Sequence, residues 1–308
     1  MSNLSAPHFH DDEKAREYLE ALRWPNGRVC PHCGSIGEHY KLEGETTRPG
    51  LYKCADCREQ FTVTVGTVFE RSKVPLSKWL MAVYLLCSSK KGISSHQLHR
   101  ALGVTYKTAW FMSHRIREAM TSNPDGLLGG GGGTVEADET YWGNNKRTIG
   151  PGRGYAHKMK VVSLVERGGK VRSFHVADVK ASTIREVLVN NVSKDAHLRT
   201  DEASQYVKVG REFASHEAVR HNAREYARGS AHTNTIEGYF SILKRGLVGT
   251  YHKCGEQHLI RYVREFDFRY NNRSALGVDD VQRTEAALKD IGGKRLTYRR
   301  TSRQEAQA

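Results

Sequence analysis

Seven side chains form two groups suited to metal binding, one of sulfur and one of oxygen. Cys30 and Cys33, then Cys54 and Cys57, make two Cys-x-x-Cys pairs separated by twenty residues. A two-residue spacer lets both thiolates of a pair reach one ion, and two pairs complete the tetrahedral set that zinc prefers. Gly34, directly after the first pair, suits a tight turn. Disulfides are the competing use, but a reducing cytoplasm disfavours them, and redox exchange needs only one pair. The reading is a closed structural zinc site that staples a segment too small for a core of its own. With four sulfurs in place, His32 and His39 are expected to be solvated. Cys87 is expected in a helix core, and both Cys87 and Cys254 as free thiols.

The oxygen group is Asp138, Asp201 and Glu237. Two aspartates that end strands and a glutamate in the first turn of a helix are what two-metal phosphoryl transfer requires. Its ions sit about 3.5–4 Å apart between carboxylates, and few protein ligands suffice because magnesium keeps several waters. A chain with 34 Asp and Glu residues contains many accidental triplets, so the trio alone does not define a site. Glu136, Glu139 and Glu202 are neighbouring rivals. Strand alternation turns Val135 and Ala137 one way and Glu136 and Asp138 the other, which keeps Glu136 as a candidate for the same site.

The elements that must position these groups are legible from periodicity. A short amphipathic helix is expected over residues 1–20, with Ala15, Tyr18, Leu19 and Leu22 on one face. The alternating run from Phe61 to Val65 reads as a strand after the cysteine segment. Leu76, Leu80, Val83, Tyr84 and Cys87 mark one helix face. Ser94 with Gln97 is a capping box opening a second helix, with Leu98 and Leu102, that Gly103 ends. Thr105 starts a third, with Ala109, Met112 and Ile116 inward. The glycine run from Gly129 to Gly133 reads as a flexible linker. After it the period becomes two. Strands are expected at Val135–Asp138, at Lys160–Val165 and Val171–Val176 around a turn at Gly168-Gly169, at Ala196–Thr200 and at His216–Val219. Helices are expected from Ser182, over Thr233–Gly246 and over Leu259–Tyr270. The expected division is 1–70 for the N-terminal helix and zinc ribbon and 71–128 for a helical DNA-binding segment. Residues 129–275 form the α/β catalytic domain, and 276–308 a C-terminal helix and basic tail.

A net charge of +14 favours a polyanionic partner. Composition, 38% hydrophobic and 27% charged, is that of a soluble globular protein. No run approaches the ~18 apolar residues of a membrane span, and the polar N-terminus lacks a signal-peptide core, so a cytoplasmic protein is expected. The helices meeting at Gly103-Val104 resemble a helix-turn-helix. That motif would place Tyr106, Lys107 and Thr108 in a major groove, with Arg115 further along the same basic helix. Lys146 and Arg147, with Arg153, lie in a glycine-rich loop after the first acid and are expected along a DNA backbone.

Three stretches surround the acids: Val135-Glu-Ala-Asp-Glu-Thr-Tyr-Trp-Gly143, Thr200-Asp-Glu-Ala-Ser-Gln-Tyr206, and His232-Thr-Asn-Thr-Ile-Glu-Gly-Tyr-Phe-Ser-Ile-Leu-Lys-Arg-Gly246. With Arg264-Glu-Phe-Asp-Phe-Arg-Tyr-Asn-Asn-Arg273, they resemble the DDE-superfamily transposases of bacterial insertion sequences, in particular the ISXO-like group with its N-terminal zinc ribbon. The resemblance covers about residues 10–275. It implies an α/β, ribonuclease-H-like catalytic domain behind the zinc ribbon and helix-turn-helix-like segment. It also implies catalytic roles for Asp138, Asp201 and Glu237 with Mg²⁺ or Mn²⁺. Lys244, seven residues after the glutamate, would contact DNA, with Arg245 beside it. Some members replace the glutamate, which makes Asn234 a rival.

The expected reaction is hydrolysis at each element end, then attack of the freed 3′-hydroxyl on target DNA. Asp138 would bridge two metals, with Asp201 and Glu237 holding one each. The expected partner is double-stranded DNA, bound by a homodimer or larger assembly at the nucleoid. The alternatives are a catalytically silent DNA-binding regulator and a plain nuclease of the same fold.

Overall fold

Asp11 opens the first helix by accepting hydrogen bonds from the N–H groups of Glu13 and Lys14 at 2.7 and 2.9 Å, which satisfies two of the donors that every helix start leaves bare. In the computed structural model, which describes residues 3–121, 126–143, 157–219 and 232–297, that helix is α1 (Asp12–Arg23). It begins later than its apolar face suggests, because a short 3-10 turn over Pro7–Phe9 precedes it. The cysteine segment follows as a three-stranded antiparallel sheet of β1 (His39–Lys41), β2 (Tyr52–Cys54) and β3 (Gln60–Phe61). Only the start of the alternating run is strand. Beyond Phe61 the chain turns, with Val65 N–H donating to Thr62 O at 3.0 Å and Thr67 N–H to Thr64 O at 3.3 Å.

Three helices follow: α2 (Leu76–Ser88), α3 (Ser95–Leu102) and α4 (Tyr106–Ala119). Pro75 gives α2 no side-chain cap. Asp12 supplies it from α1, where Oδ1 accepts from Ser77 N–H at 2.9 Å and from its hydroxyl at 2.6 Å. Ser94 and Gln97 form the expected capping box, Gly103 takes the left-handed conformation that closes α3, and Thr105 caps α4.

The glycine run is a built turn and not the flexible linker its composition suggests. Gly129 has φ +73°, and a Cβ there would lie 2.6 Å from Ala196 Cβ and 2.7 Å from Val135 Cγ2. Its N–H donates to Glu166 Oε1 at 2.9 Å, and Gly133 O accepts from His197 N–H at 3.0 Å. Only glycine fits that approach.

The turn feeds β4 (Thr134–Trp142), which is longer than the four residues expected. Then come β5 (Met159–Glu166), β6 (Val171–Val176), α5 (Ala181–Asn191), β7 (His197–Asp201), the short α6 (Ser204–Val209) and β8 (Ser215–Val219). After them come α7 (Asn234–Gly246) and α8 (Glu256–Asn271). The sheet order is β6-β5-β4-β7-β8. β4, β5 and β6 run as an antiparallel meander, while β7 and β8 lie parallel to β4. One face packs Val135, Ala137, Val162 and Leu198 against Ile184, Leu188 and Tyr206 of α5 and α6. The other packs Val161, Val165 and Val171 against Ile236, Phe240, Leu259 and Val263 of α7 and α8. A sheet covered on both faces keeps apolar residues on both, as β5 does.

The last helix, α9 (Asp280–Lys289), has its own capping box from Asp279 and Gln282. The chain divides into two units, residues 122–277 and residues 1–121 with 278–308. α9 therefore belongs with the N-terminal helices. There Arg283 donates to Cys87 O at the end of α2 at 3.1 Å, and Val68 N–H reaches Ile291 O at 3.3 Å.

Candidate carboxylate site and thiol centre

β4 and β7 are parallel neighbours whose last ladder pair is Glu136 with Arg199. Asp138 and Asp201 each stand two residues beyond that pair, so the register sets them side by side where the strands end their pairing. Glu237 comes from the first turn of α7, on the face of the sheet to which Glu136 and Asp138 also turn. The Asp138 carboxyl is pushed up to about 7. Burial is the main cause, and the charges of Asp201, Glu139 and Glu237 add to it. The fold thus brings Asp201 and Glu237 within electrostatic reach of Asp138.

Each acid is also held. Asp138 Oδ1 accepts from Glu139 N–H at 2.7 Å, Asp201 Oδ1 from Ala203 N–H at 3.0 Å, and Glu237 Oε1 from the Thr233 hydroxyl at 3.0 Å. Glu237 is exposed, as is Asn234 one turn earlier, so the site is open to solvent on the α7 side.

Two further glutamates on β4 bind protein groups. Glu139 turns to the opposite face, where Tyr206 donates to it at 2.7 Å and Gln205 at 2.9 Å. Burial holds its pKa above the ordinary carboxylate value despite those bonds. Glu136 is 0% exposed. Its Oε1 accepts from Arg167 Nε at 2.6 Å and from the Thr235 hydroxyl at 2.9 Å, while Oε2 accepts from Ile236 N–H at 2.9 Å. Sequence reasoning did not single out Arg167. A signal was present, because two acids at alternate strand positions face one way, and a fully buried one needs a cation.

The four thiols of Cys30, Cys33, Cys54 and Cys57 converge, with all sulfurs within 4.8 Å of one another. Among the described residues this is the one group of three or more His, Cys, Asp or Glu ligand atoms that closes so tightly. Cys30 and Cys57 Sγ are 3.6 Å apart, and Cys33 and Cys54 Sγ 3.8 Å. Thiolates about 2.3 Å from a tetrahedral zinc stand roughly 3.8 Å apart, so the set fits that ion. Burial alone would raise the Cys30 thiol, but N–H groups of Cys33 and His32 and neighbouring sulfurs bring it down to about 7, toward the thiolate a metal needs. His32 is exposed, whereas His39 packs its ring on Phe61 with Nε2 buried. Cys87 and Cys254 are buried and in no disulfide.

At the start of α4, Tyr106 is 46% exposed and stacks on His96 of α3, with ring centroids 4.3 Å apart. Lys107 is exposed beside it, and Thr108 gives its N–H to the Thr105 cap at 3.2 Å. Arg115 points elsewhere. It is 6% exposed, donates to Glu70 O at 2.6 Å and lies over the Trp79 ring, so its guanidinium serves the packing of the helical unit. Lys244 and Arg245 are exposed on the last turn of α7. Lys146, Arg147 and Arg153 lie outside the described residues.

Residues 130–271 match the ISXO2-like transposase domain, and residues 10–60 match a transposase zinc-ribbon domain. An uncharacterised protein in transposable element ISH50 of Halobacterium salinarum is 30% identical over 279 residues, covering 85% of this chain and 91% of that protein. The chain belongs to the ISXO2-like transposase family, with a DDE transposase domain behind a zinc ribbon. No helix among the described residues is long and apolar enough to cross a membrane.

Proposed function

We propose that the protein is the transposase of a bacterial insertion sequence, which cuts DNA at each end of its element and joins the freed 3′-hydroxyl to target DNA. The observation that carries this reading is the placing of Asp138 and Asp201 side by side at the ends of β4 and β7, with Glu237 on α7 near enough for its charge, with that of Asp201, to add to the burial that lifts Asp138 to about 7. Such a cluster holds its charge poorly until a cation neutralises it, and carboxylates are the hard ligands that Mg²⁺ or Mn²⁺ takes. When bound, those ions supply Lewis acidity to the phosphodiester and activate the attacking oxygen.

The chain's own part is to hold the three acids in place and to align DNA across them. Lys244 stands two turns after Glu237 on α7 and meets a DNA phosphate, with Arg245 beside it. Tyr106, Lys107 and Thr108 open the helix offered to the major groove, and Lys146 and Arg147 add contacts to the DNA backbone. The sheet order, an antiparallel meander followed by two parallel strands with helices on both faces, supports a ribonuclease-H-like fold. Two element ends must be brought together, so the protein works as a homodimer or larger assembly on DNA, at the nucleoid.

The test is strand transfer by purified protein with Mg²⁺ and DNA carrying the element ends, beside Asp138→Ala and Asp201→Ala. Joined product that both variants lose, while still binding ends, supports the reading. Cutting without joining points to a nuclease, and a variant that still cleaves removes that acid from the site.

A further inference from the structure

We infer that Glu136 is the positioning residue of the acid site: it fixes the helix carrying Glu237 against the strand carrying Asp138 and is not itself a metal ligand. This rests on the reading of the trio given above. Glu136 is two residues from Asp138 on the same strand face, and Ile236, whose N–H it accepts, is the immediate neighbour of Glu237. Glu136 is therefore a direct polar link between the strand of Asp138 and the helix turn of Glu237, beside the apolar packing of Ile236 and Phe240 on β5.

Its bonds leave little choice. Thr233, the residue before α7, offers no side-chain cap and spends its hydroxyl on Glu237. The bare N–H groups at the helix start need an acceptor, and a negative charge there is favoured by the helix dipole. Glu136 provides both. Arg167 neutralises it and extends the clamp. Its Nη2 donates to His232 O at 2.7 Å, and its N–H donates to Thr134 O at 3.0 Å. His232 Nδ1 lies 3.5 Å from the same carboxylate oxygen. One buried carboxylate thus ties β4, the β5–β6 turn, the segment entering α7 and the first turn of α7. Both of its oxygens are occupied by protein donors, so none is directed to an ion.

The test uses full-length, zinc-loaded Glu136→Gln and Asp138→Asn, with Mn²⁺ binding followed by electron paramagnetic resonance and the Mg²⁺ dependence of strand transfer measured beside it. Glutamine keeps the length but turns a donor toward Arg167 or Ile236 N–H. We expect Mn²⁺ affinity to fall about 10- to 100-fold, as for partners that orient ligands. End binding without added Mg²⁺ or Mn²⁺ should be unchanged, and strand transfer should recover at high Mg²⁺. Asp138→Asn should not recover at any Mg²⁺. Glu136→Gln with normal Mn²⁺ affinity overturns the inference. So does a folded Glu136→Gln that no amount of Mg²⁺ rescues, since that is how a lost ligand behaves. If Glu136→Gln fails to fold, Thr235→Ala removes one bond without uncovering a charge. It should shift Mn²⁺ affinity in the same direction, and an unshifted value also overturns the inference. Full activity and Mn²⁺ binding in Asp138→Asn would instead sink the reading of the trio.

Discussion

Asn271 treats Val171 as a neighbouring strand would: its Oδ1 accepts from the Val171 N–H at 2.7 Å and its Nδ2 donates to the Val171 carbonyl at 3.0 Å. One turn earlier on α8, Asp267 accepts from Ser173 N–H at 2.9 Å. β6 is an edge of the sheet, and these two side chains cover backbone groups that an open edge would leave available for pairing with other chains. Asn271→Ala should lower stability by about 1–3 kcal/mol, since it leaves a donor and an acceptor unpaired. Urea unfolding of the variant checks this, and an unchanged midpoint would show that water replaces the side chain at no cost.

Asp267 itself gives a pH signature. It is fully buried, and burial lifts it from its ordinary 3.8 to about 6 against the bonds from Tyr239 and Ser173. Between those values the folded chain keeps a proton that the unfolded chain has released. Stability therefore falls as pH rises from about 4 to 6, by roughly 3 kcal/mol in all at about 1.4 kcal/mol per unit, and stays at that lower level above. Below pH 4 both states are protonated and the group contributes no difference. Subtracting the Asp267→Asn stability curve from that of the native chain isolates this slope. A flat difference from pH 4.5 to 7 would refute it.

Zinc removal should act on the ribbon first. Free energies of zinc binding in comparable small domains are on the order of 10 kcal/mol, which makes metal binding and folding one event there. Cys30→Ser should lose stoichiometric zinc by metal analysis and weaken binding to element ends. A variant that retains one zinc per chain would show that three thiols and another ligand suffice.

Lys244→Ala should remove one phosphate contact. The slope of log binding constant against log salt should then fall by about 0.9, with affinity lowered equally for specific and unrelated DNA. Gel-shift titrations across a salt series measure both quantities. An unchanged slope would leave Lys244 as a solvated charge.

The parts of the fold that a local pattern specifies were legible in the sequence. Ser94 and Gln97 announced their capping box, the turn near Gly168-Gly169 joined the expected hairpin, and the cysteine spacing indicated a closed thiol set. Patterns whose outcome depends on distant partners were not. Phe61 to Val65 alternates as a strand does, yet only its first residue finds a ladder partner in β2. The run from Gly129 reads as a tether until Ala196 and Val135 are seen pressing against it. Alternation put Glu136 beside Asp138, but separating a ligand from a clamp needed the donors Arg167, Thr235 and Ile236. Arg115 sits on a basic helix face by sequence, and only the position of Glu70 and Trp79 shows why it turns inward.

The return of α9 to the N-terminal helices carries a consequence for biosynthesis. Ala287, Leu288 and Ile291 are fully buried, in a stretch translated after the entire carboxylate unit. The unit that holds the zinc ribbon and α2 to α4 therefore cannot close on the ribosome until the acid-bearing segment has emerged. A prematurely terminated chain would carry thiols and helices over an unfinished core, a substrate for proteolysis rather than a working half of the protein.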